Sequence, residues 1–333
     1  MLGEGGMGAV WAATHRVTGK SVALKFLTKD PRNAELRHRF LREARAAAVV
    51  NHPNVVAVHD VVEADDGTLV MVMDRLNGET LADRLQREGR LALSEVAGIM
   101  VPVVSAVGTA HSAGVIHRDL KPANIFLVEG APDVRVLDFG IAKLTGAADQ
   151  QAVALTATGA LLGTPYYMAP EQVFGETNVD ARVDIWAIGV ILYECLAGGR
   201  PLEGENPGQI MKAILTQRIC PLRDLVPGVP QEVADVVMRM LTRERDARPA
   251  DLREAFKILS AHTEVASQAF QAARTPLAII TLPEKSDPFA TTAKLDSNRG
   301  PNVAAAEDSV VGTRVSAPPP ARVAGLDTAG PVE

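Results

Sequence analysis

Hydrophobic periodicity changes character near residue 79, and this change most constrains how the chain folds. Up to Met73 the apolar residues come in short Val-rich runs, Ala9–Ala13, Ser21–Leu27, Val55–Val62 and Thr68–Met73, divided by turn signals, which is the pattern of strands. Asp66-Gly67 joins the last two runs as a hairpin turn, because this pair tolerates positive φ. One helix interrupts the strands: over Arg32–Val50, Leu36, Phe40, Ala44 and Ala47 recur near helical spacing with charges on the other face. From Glu79 to about Ala261 helical spacing takes over. Ser94 and Glu95 open an apolar helix, and Ile185–Cys195 is so uniformly apolar that it must be buried on most faces. The expected fold class is α+β, a small antiparallel sheet with one main helix and a larger helical unit. Residues 265–333 hold two aromatics and eight prolines, three of them consecutive at Pro318-Pro319-Pro320. Such a segment buries too little surface to offset the entropy of ordering, so 263–333 is expected to be a flexible, low-complexity tail.

Composition removes several function classes. Net charge is −6 from 34 basic and 40 acidic residues, which argues against a general nucleic-acid binder, since affinity for polyphosphate comes from Lys and Arg that displace counterions. Cys195 and Cys220 alone make neither a disulfide framework nor a four-ligand zinc site, and the seven histidines lack HExxH spacing. The longest apolar stretch, Val96–Ala110, carries Pro102 and Ser105 and falls short of the roughly 20 residues that span a bilayer. The first ten residues lack the basic start and apolar run of a secretory signal. A reduced, cytoplasmic protein without a membrane anchor is the expectation.

The stretch Gly3-Glu4-Gly5-Gly6-Met7-Gly8-Ala9-Val10 fits G-x-G-x-x-G-x-V, in which glycines let backbone amides approach phosphate oxygens. Alone it reads equally as a plain Gly-rich turn. The dinucleotide-binding version needs a following helix, whereas Val10-Trp11-Ala12-Ala13 reads as a strand. Gly19-Lys20-Ser21 resembles the end of a phosphate-binding P-loop, but Thr14 stands where the first Gly should be, so it reads as a hairpin turn. Val22-Ala23-Leu24-Lys25 sets a lysine inside an apolar strand, 22 residues after Gly3. A buried ammonium is costly unless paired, so Lys25 should face a carboxylate and a phosphate. Only nine of the 34 basic residues are Lys, so lysine is not this chain's default cation. Glu43 is the expected partner; an exposed helical pair with Arg39 is its alternative.

His117-Arg118-Asp119-Leu120-Lys121-Pro122-Ala123-Asn124, then strand-like Ile125–Val128, then Leu137-Asp138-Phe139-Gly140, is far more specific, with the two aspartates 19 residues apart. Here the chain resembles the protein-kinase family, most of all bacterial serine/threonine protein kinases of eukaryotic type. The likeness covers residues 2 to about 262 and continues through Gly163-Thr164-Pro165, Met168-Ala169-Pro170-Glu171, Asp184-Ile185-Trp186 and Arg248-Pro249. It implies a bilobal kinase fold: an N-lobe over 1–73, a hinge over 74–78 and a C-lobe over 79–262.

The resemblance also implies a division of labour. Gly3, Glu4, Gly5, Gly6, Met7 and Gly8 would cover the phosphates of ATP, Lys25 would pair the α- and β-phosphates, and Glu43 would hold Lys25. Asp138 and Asn124 would hold Mg²⁺, with Mn²⁺ as a substitute. Asp119 would accept or orient the proton of a substrate hydroxyl, and Lys121, a serine/threonine-type mark, would neutralise the transferring phosphoryl group. Thr164 would hydrogen-bond Asp119 and Lys121. Adenine would lie between Leu2, Val10 and Ala23 above and Phe126 below, against backbone groups of Asp74 and Leu76, with Met73 guarding the back. Asp184 and the pair Glu171–Arg248 look structural. Arg118 before Asp119 implies regulation by a phosphate on Thr156 or Thr158, received by Arg118 with Lys143 beside it. The implied partners are proteins with Ser or Thr acceptors, and a second copy of the chain if autophosphorylation runs in trans.

One departure stands out. The strand that leads into the glycine loop starts at Met1-Leu2-Gly3, about half its usual length, so the expectation is a natural product that begins upstream or a weakened N-lobe. Two competing readings are a nucleotide-binding scaffold without catalysis and a small-molecule kinase. Retention of Lys25, Asp119 and Asp138 speaks against the first; Lys121, Thr164 and Ala169-Pro170-Glu171 speak against the second.

Overall fold

The computed structural model describes residues 1–4, 8–27, 33–130, 133–138 and 165–263. Gly5, Gly6, Met7, Lys143, Thr156, Thr158, Thr164 and the tail from 264 on lie outside the described residues. Five strands, β1 (Gly3–Glu4), β2 (Gly8–Thr14), β3 (Ser21–Leu27), β4 (Val58–Glu63) and β5 (Leu69–Asp74), pair antiparallel in the order β1-β2-β3-β5-β4. The Gly19-Lys20-Ser21 stretch is a hairpin turn, with Gly19 at φ +69°, and Gly67 closes the second hairpin at φ +84°. Helix α1 (Ala34–Val49) lies against β3, β4 and β5 because Phe40 and Ala44 meet Leu27, Leu69 and Met71 in a buried cluster.

The larger unit contains a second antiparallel sheet, β6 (Gly78–Thr80), β7 (Ile125–Val128) and β8 (Val134–Val136), and the helices α2 (Leu81–Glu88), α3 (Leu93–Ser112), α4 (Pro170–Val173), α5 (Arg182–Ala197), α6 (Pro207–Thr216), α7 (Leu222–Leu225), α8 (Gln231–Met240) and α9 (Arg253–Ser260). Thr80 starts α2 with a capping box, its hydroxyl accepting from the Asp83 amide while the Asp83 carboxylate accepts from the Thr80 amide. The uniformly apolar Ile185–Cys195 run lies inside α5, and 13 of that helix's 16 residues are buried. Gly189 lets α8 approach α5 closely: a Cβ there would sit 2.8 Å from the Met240 Cβ. Helix α3, at 20 residues, is long and apolar enough to cross a membrane. Here it packs against α5, α9 and β8, and nine of its side chains are buried.

Element edges differ from the sequence pattern in instructive ways. The strand expected over Val55–Val62 begins only at Val58, because Val55 and Val56 are drawn to β8: Val55 bridges Val136, and the Val56 amide donates to the Val136 carbonyl at 3.1 Å. Helix α3 starts at Leu93 after an extended Ala92, one residue ahead of the polar pair Ser94 and Glu95. The loop between α1 and β4 is bound to the larger unit. His52 Nε2 lies 3.0 Å from the Ser105 hydroxyl, the Asn54 amide donates to the Val134 carbonyl at 2.9 Å, and Val50 and Val55 join the large core cluster.

Arg248 fastens the far end of the large unit. Its five N–H donors meet five acceptors: both Glu171 oxygens at 2.7 and 2.8 Å, and the carbonyls of Thr242, Arg182 and Arg243. Both side chains are buried, so removing one partner strands a charge away from water. Glu171→Ala is expected to cost about 3–5 kcal/mol of stability, read from the denaturation midpoint at constant slope. A loss below about 1 kcal/mol, the range of exposed pairs, would contradict this account.

Candidate active site

The site is built on a strained backbone held by one carboxylate. Arg118 has φ +66° and Asp138 φ +43°, conformations that cost a non-glycine residue on the order of 1–3 kcal/mol each. Asp184, in the first turn of α5 and 1% exposed, accepts from the His117 amide at 2.8 Å, the Arg118 amide at 2.7 Å and the His111 ring at 2.8 Å. On the other side of Arg118, the Gln172 side-chain amide donates to its carbonyl at 3.0 Å, while Gln172 Oε1 accepts from the Ala169 amide. The segment 117–119 is therefore gripped from both α4 and α5.

His117 joins this segment to the one carrying Asp138. A carbonyl only accepts and an amide only donates, so its contacts fix the tautomer: Nε2–H donates to the Leu137 carbonyl at 3.0 Å, and Nδ1 accepts from the Asp119 amide at 3.3 Å. The Leu137 amide in turn donates to the Asn124 carbonyl at 2.8 Å. Within the loop, Lys121 Nζ pairs Asp119 Oδ2 at 2.8 Å, and Asn124 Nδ2 donates to the Asp119 carbonyl at 2.9 Å. Asn124 thus keeps its side-chain oxygen for another partner.

Lys25, on β3, is buried as its apolar strand requires. Its Nζ lies 2.6 Å from Glu43 Oε1 on α1 and 2.8 Å from Asp138 Oδ1. Of the two readings of Glu43, the pairing with Lys25 is the one observed. Burial lowers the pKa of Lys25, but the two carboxylates, Asp138 foremost, more than compensate, so its net shift is upward. Burial and the neighbouring Asp138 charge push Glu43 up to about 7. Asp138 is held below its ordinary value: burial opposes this, but Lys25 outweighs it. One ammonium serves two carboxylates, and Asp138 is the one that Lys25 keeps ionised against its burial.

Beside this cluster lies a small apolar pocket wall. Ala23, Val56 and Met73 form a buried group with Val10, Val58, Leu76 and Leu137 at its edge. Four of the residues proposed from sequence, Val10, Ala23, Met73 and Leu76, are thus brought together. Phe126 is half-buried on β7 opposite Thr80 and outside that cluster; Leu2 is 50% exposed, its amide donating to the Val10 carbonyl. Gly3 and Glu4 pair with Val10 and Ala9, and Gly8 opens β2. Asp74 closes β5, its amide donating to the Ala57 carbonyl at 3.0 Å. Sequence reading missed Leu137, Val56 and Gln172. Leu137 had a signal, its place directly before Asp138; Val56 and Gln172 had none beyond being apolar or polar in the right neighbourhood.

A model of the protein kinase domain matches residues 1–262. This chain belongs to the protein kinase domain family. It is 41% identical over 266 residues to the serine/threonine-protein kinase pkn3 of Myxococcus xanthus, covering 77% of this chain and 48% of that one. It is 38% identical over 275 residues to a probable serine/threonine-protein kinase of Corynebacterium efficiens, covering 80% and 40%. With the Mycobacterium tuberculosis kinase PknA the figures are 36% over 242 residues, 71% and 54%. The chain thus spans about half or less of the length of these curated relatives. Among solved structures, the kinase domain of Mycobacterium tuberculosis PknI aligns with a TM-score of 0.61 and 26% identity, over 79% of this chain and 93% of that one.

Membership in the kinase domain family brings the use of ATP and a divalent metal. The donor set fits a hard cation that keeps water and phosphate ligands: a carboxylate at Asp138 and an amide oxygen at Asn124, with no cluster of three or more His, Cys, Asp or Glu that could hold a metal ion among the described residues.

The Glu43 shift has a measurable consequence for the kinase domain. Its folded value, about 7, lies above the ordinary 4.5, so between these two the folded protein holds a proton that the unfolded chain has released. Stability should therefore fall, by up to about 3 kcal/mol, as pH rises from 5 to 7.5. The Asp138 contribution, of opposite sign, is complete above about pH 4. Glu43→Gln should flatten the dependence; denaturant midpoints that move with pH alike in both proteins would refute it.

Proposed function

We propose that this domain transfers the γ-phosphoryl group of ATP to serine or threonine hydroxyls of proteins. The observation that carries this reading is the Lys25–Asp138 pair at 2.8 Å across the two lobes, with Glu43 on Lys25 at 2.6 Å, joined through the His117–Leu137 and Leu137–Asn124 bonds to the loop in which Asp119 meets Lys121 and Asn124 at 2.8 and 2.9 Å. Phosphoryl transfer needs positioning and charge neutralisation more than covalent participation, and this constellation supplies both.

Each residue then takes a task. Lys25, oriented by Glu43, holds the α- and β-phosphates, beneath the Gly3–Gly8 loop. Asp138 and the Asn124 side-chain oxygen would hold the metal, Mg²⁺ with Mn²⁺ as substitute, which would supply positive charge to neutralise the phosphates. Asp119 orients the acceptor hydroxyl and takes its proton. Lys121, already at Asp119, neutralises the phosphoryl group in transit, and Thr164 joins them. Adenine lies against Val10, Ala23 and Met73 with Leu2 above and Phe126 below, its polar edge on backbone groups of Asp74 and Leu76. On this reading 1–73 is the N-lobe, 74–78 the hinge, 79–262 the C-lobe and 263–333 a tail.

Regulation by phosphate is part of the proposal. The Arg118 Nε is buried without a hydrogen-bond partner among the described residues, and burial lowers this guanidinium's pKa, so an anion there would be welcome. Thr156 or Thr158, phosphorylated by a second copy of the chain, would supply it. Protein substrates, no nucleic-acid partner, and a cytoplasmic catalytic domain where ATP is available complete the reading.

Incubation with labelled ATP and Mg²⁺ tests it. Label on a generic protein substrate should fall at least about 100-fold in Lys25→Met and Asp119→Asn, the range of lost electrostatic or acid-base assistance. Equal label in all three proteins would sink the assignment. Mass spectrometry should find phosphate in the Lys143–Glu171 peptide of the wild type; its absence after incubation would remove the autophosphorylation step.

A further inference from the structure

Outside the machinery just described, a three-residue polar cluster sits on the back of the hinge. Strand β4 pairs regularly with β5 except at one place: Val58 faces Met73 and Asp60 faces Val72, leaving His59 as an extra residue in a β-bulge. A bulge re-aims the side chain it carries. Here it brings His59 Nε2 within 2.8 Å of Asp74 Oδ1. Lys20, from the hairpin before β3, places its Nζ 3.3 Å from the same ring nitrogen and 3.7 Å from the same carboxylate oxygen. A carboxylate only accepts, so Nε2–H is the donor to Asp74; the Lys20 ammonium, also a donor, is therefore attracted to the Asp74 carboxylate and not bonded to the ring.

Asp74 is the last residue of the sheet before the chain crosses to the larger lobe. Its backbone pairs in register with Val22 and its amide donates to the Ala57 carbonyl; among the described residues its side chain is held by His59 at 2.8 Å from the opposite strand, with Lys20 at 3.7 Å. Two residues on, Leu76 packs at the edge of the pocket wall, and Gly78 resumes pairing at φ +141°, where a Cβ would lie 2.0 Å from the Leu127 carbonyl oxygen. The connection is thus short and clamped at its far end, and the near clamp is the Lys20–His59–Asp74 cluster.

We propose that His59 is a positioning residue for nucleotide binding: through Asp74 it holds the hinge backbone in the conformation that receives the purine base. The inference rests on the reading that adenine meets the backbone of Asp74 and Leu76. Its basis is preorganisation: a hinge already ordered by His59 loses less freedom when the base docks. His59 touches neither phosphate nor metal ligand, so its effect falls on nucleotide affinity and leaves the transfer step alone. The side chains of His59 and Asp74 are 33% and 29% exposed, which keeps the expected effect moderate.

The test compares wild type, His59→Ala and His59→Gln in the full chain, reading dissociation constants for adenosine and a fluorescent ATP analogue by titration, and kcat and KM for ATP in steady state. His59→Ala should weaken both ligands by about three- to fivefold and raise the KM for ATP by the same factor, with kcat unchanged. His59→Gln, whose amide can donate to Asp74, should return all three to within about twofold of wild type. Equal affinities in wild type and His59→Ala, equal loss in both variants, or a fall in kcat alongside the rise in KM would overturn the proposal while leaving the nucleotide reading intact. A wild type that binds neither adenosine nor the ATP analogue would overturn both.

Discussion

The Asp184 carboxylate is the constraint on which the catalytic geometry depends. Two consecutive amides, at His117 and Arg118, converge on its two oxygens, and a backbone turn with Arg118 at positive φ is the conformation that brings them there. Without a buried acceptor on α5 that turn has nothing to offset its strain. With it, Asp119 follows in a fixed direction, His117 is oriented, and through the His117 ring the Leu137–Asp138 backbone is placed as well. The largely apolar helix α5 is thus the platform on which the loop is mounted, and its buried Asp184 is the fastening.

Electrostatics in the cleft follow a similar economy. Lys25 is the one cation that the strand pattern puts indoors, and it faces two acids from different elements. Because one ammonium cannot fully satisfy two carboxylates, Glu43 is left by burial and the Asp138 charge with an elevated proton affinity, while Lys25 keeps Asp138 an anion. The imbalance leaves an excess of negative charge beside Asp138.

What the sequence reveals about such a site depends on whether the relevant partner is local. Lys25 is legible because a charge in an apolar strand demands a partner; local spacing left Glu43 open between that role and an exposed pair with Arg39, and the structure shows the pairing with Lys25. Asp119, Lys121 and Asn124 lie within six residues, so their geometry is contained in one loop. Gln172 grips a carbonyl 54 residues away, and Asn54 one 80 residues away; no periodicity records such meetings. Val55 and Val56 misled for the same reason. Their apolar character signals burial, and a period-two pattern cannot say whether the burying surface is the neighbouring strand or the opposite lobe.

Among the described residues, two backbone stretches tie the lobes together: the crossing at Arg75–Asn77, and the loop 52–56, whose His52, Asn54 and Val56 are bound to α3 and β8. Widening the cleft would have to part Lys25 from Asp138, which lie on its opposite sides 2.8 Å apart.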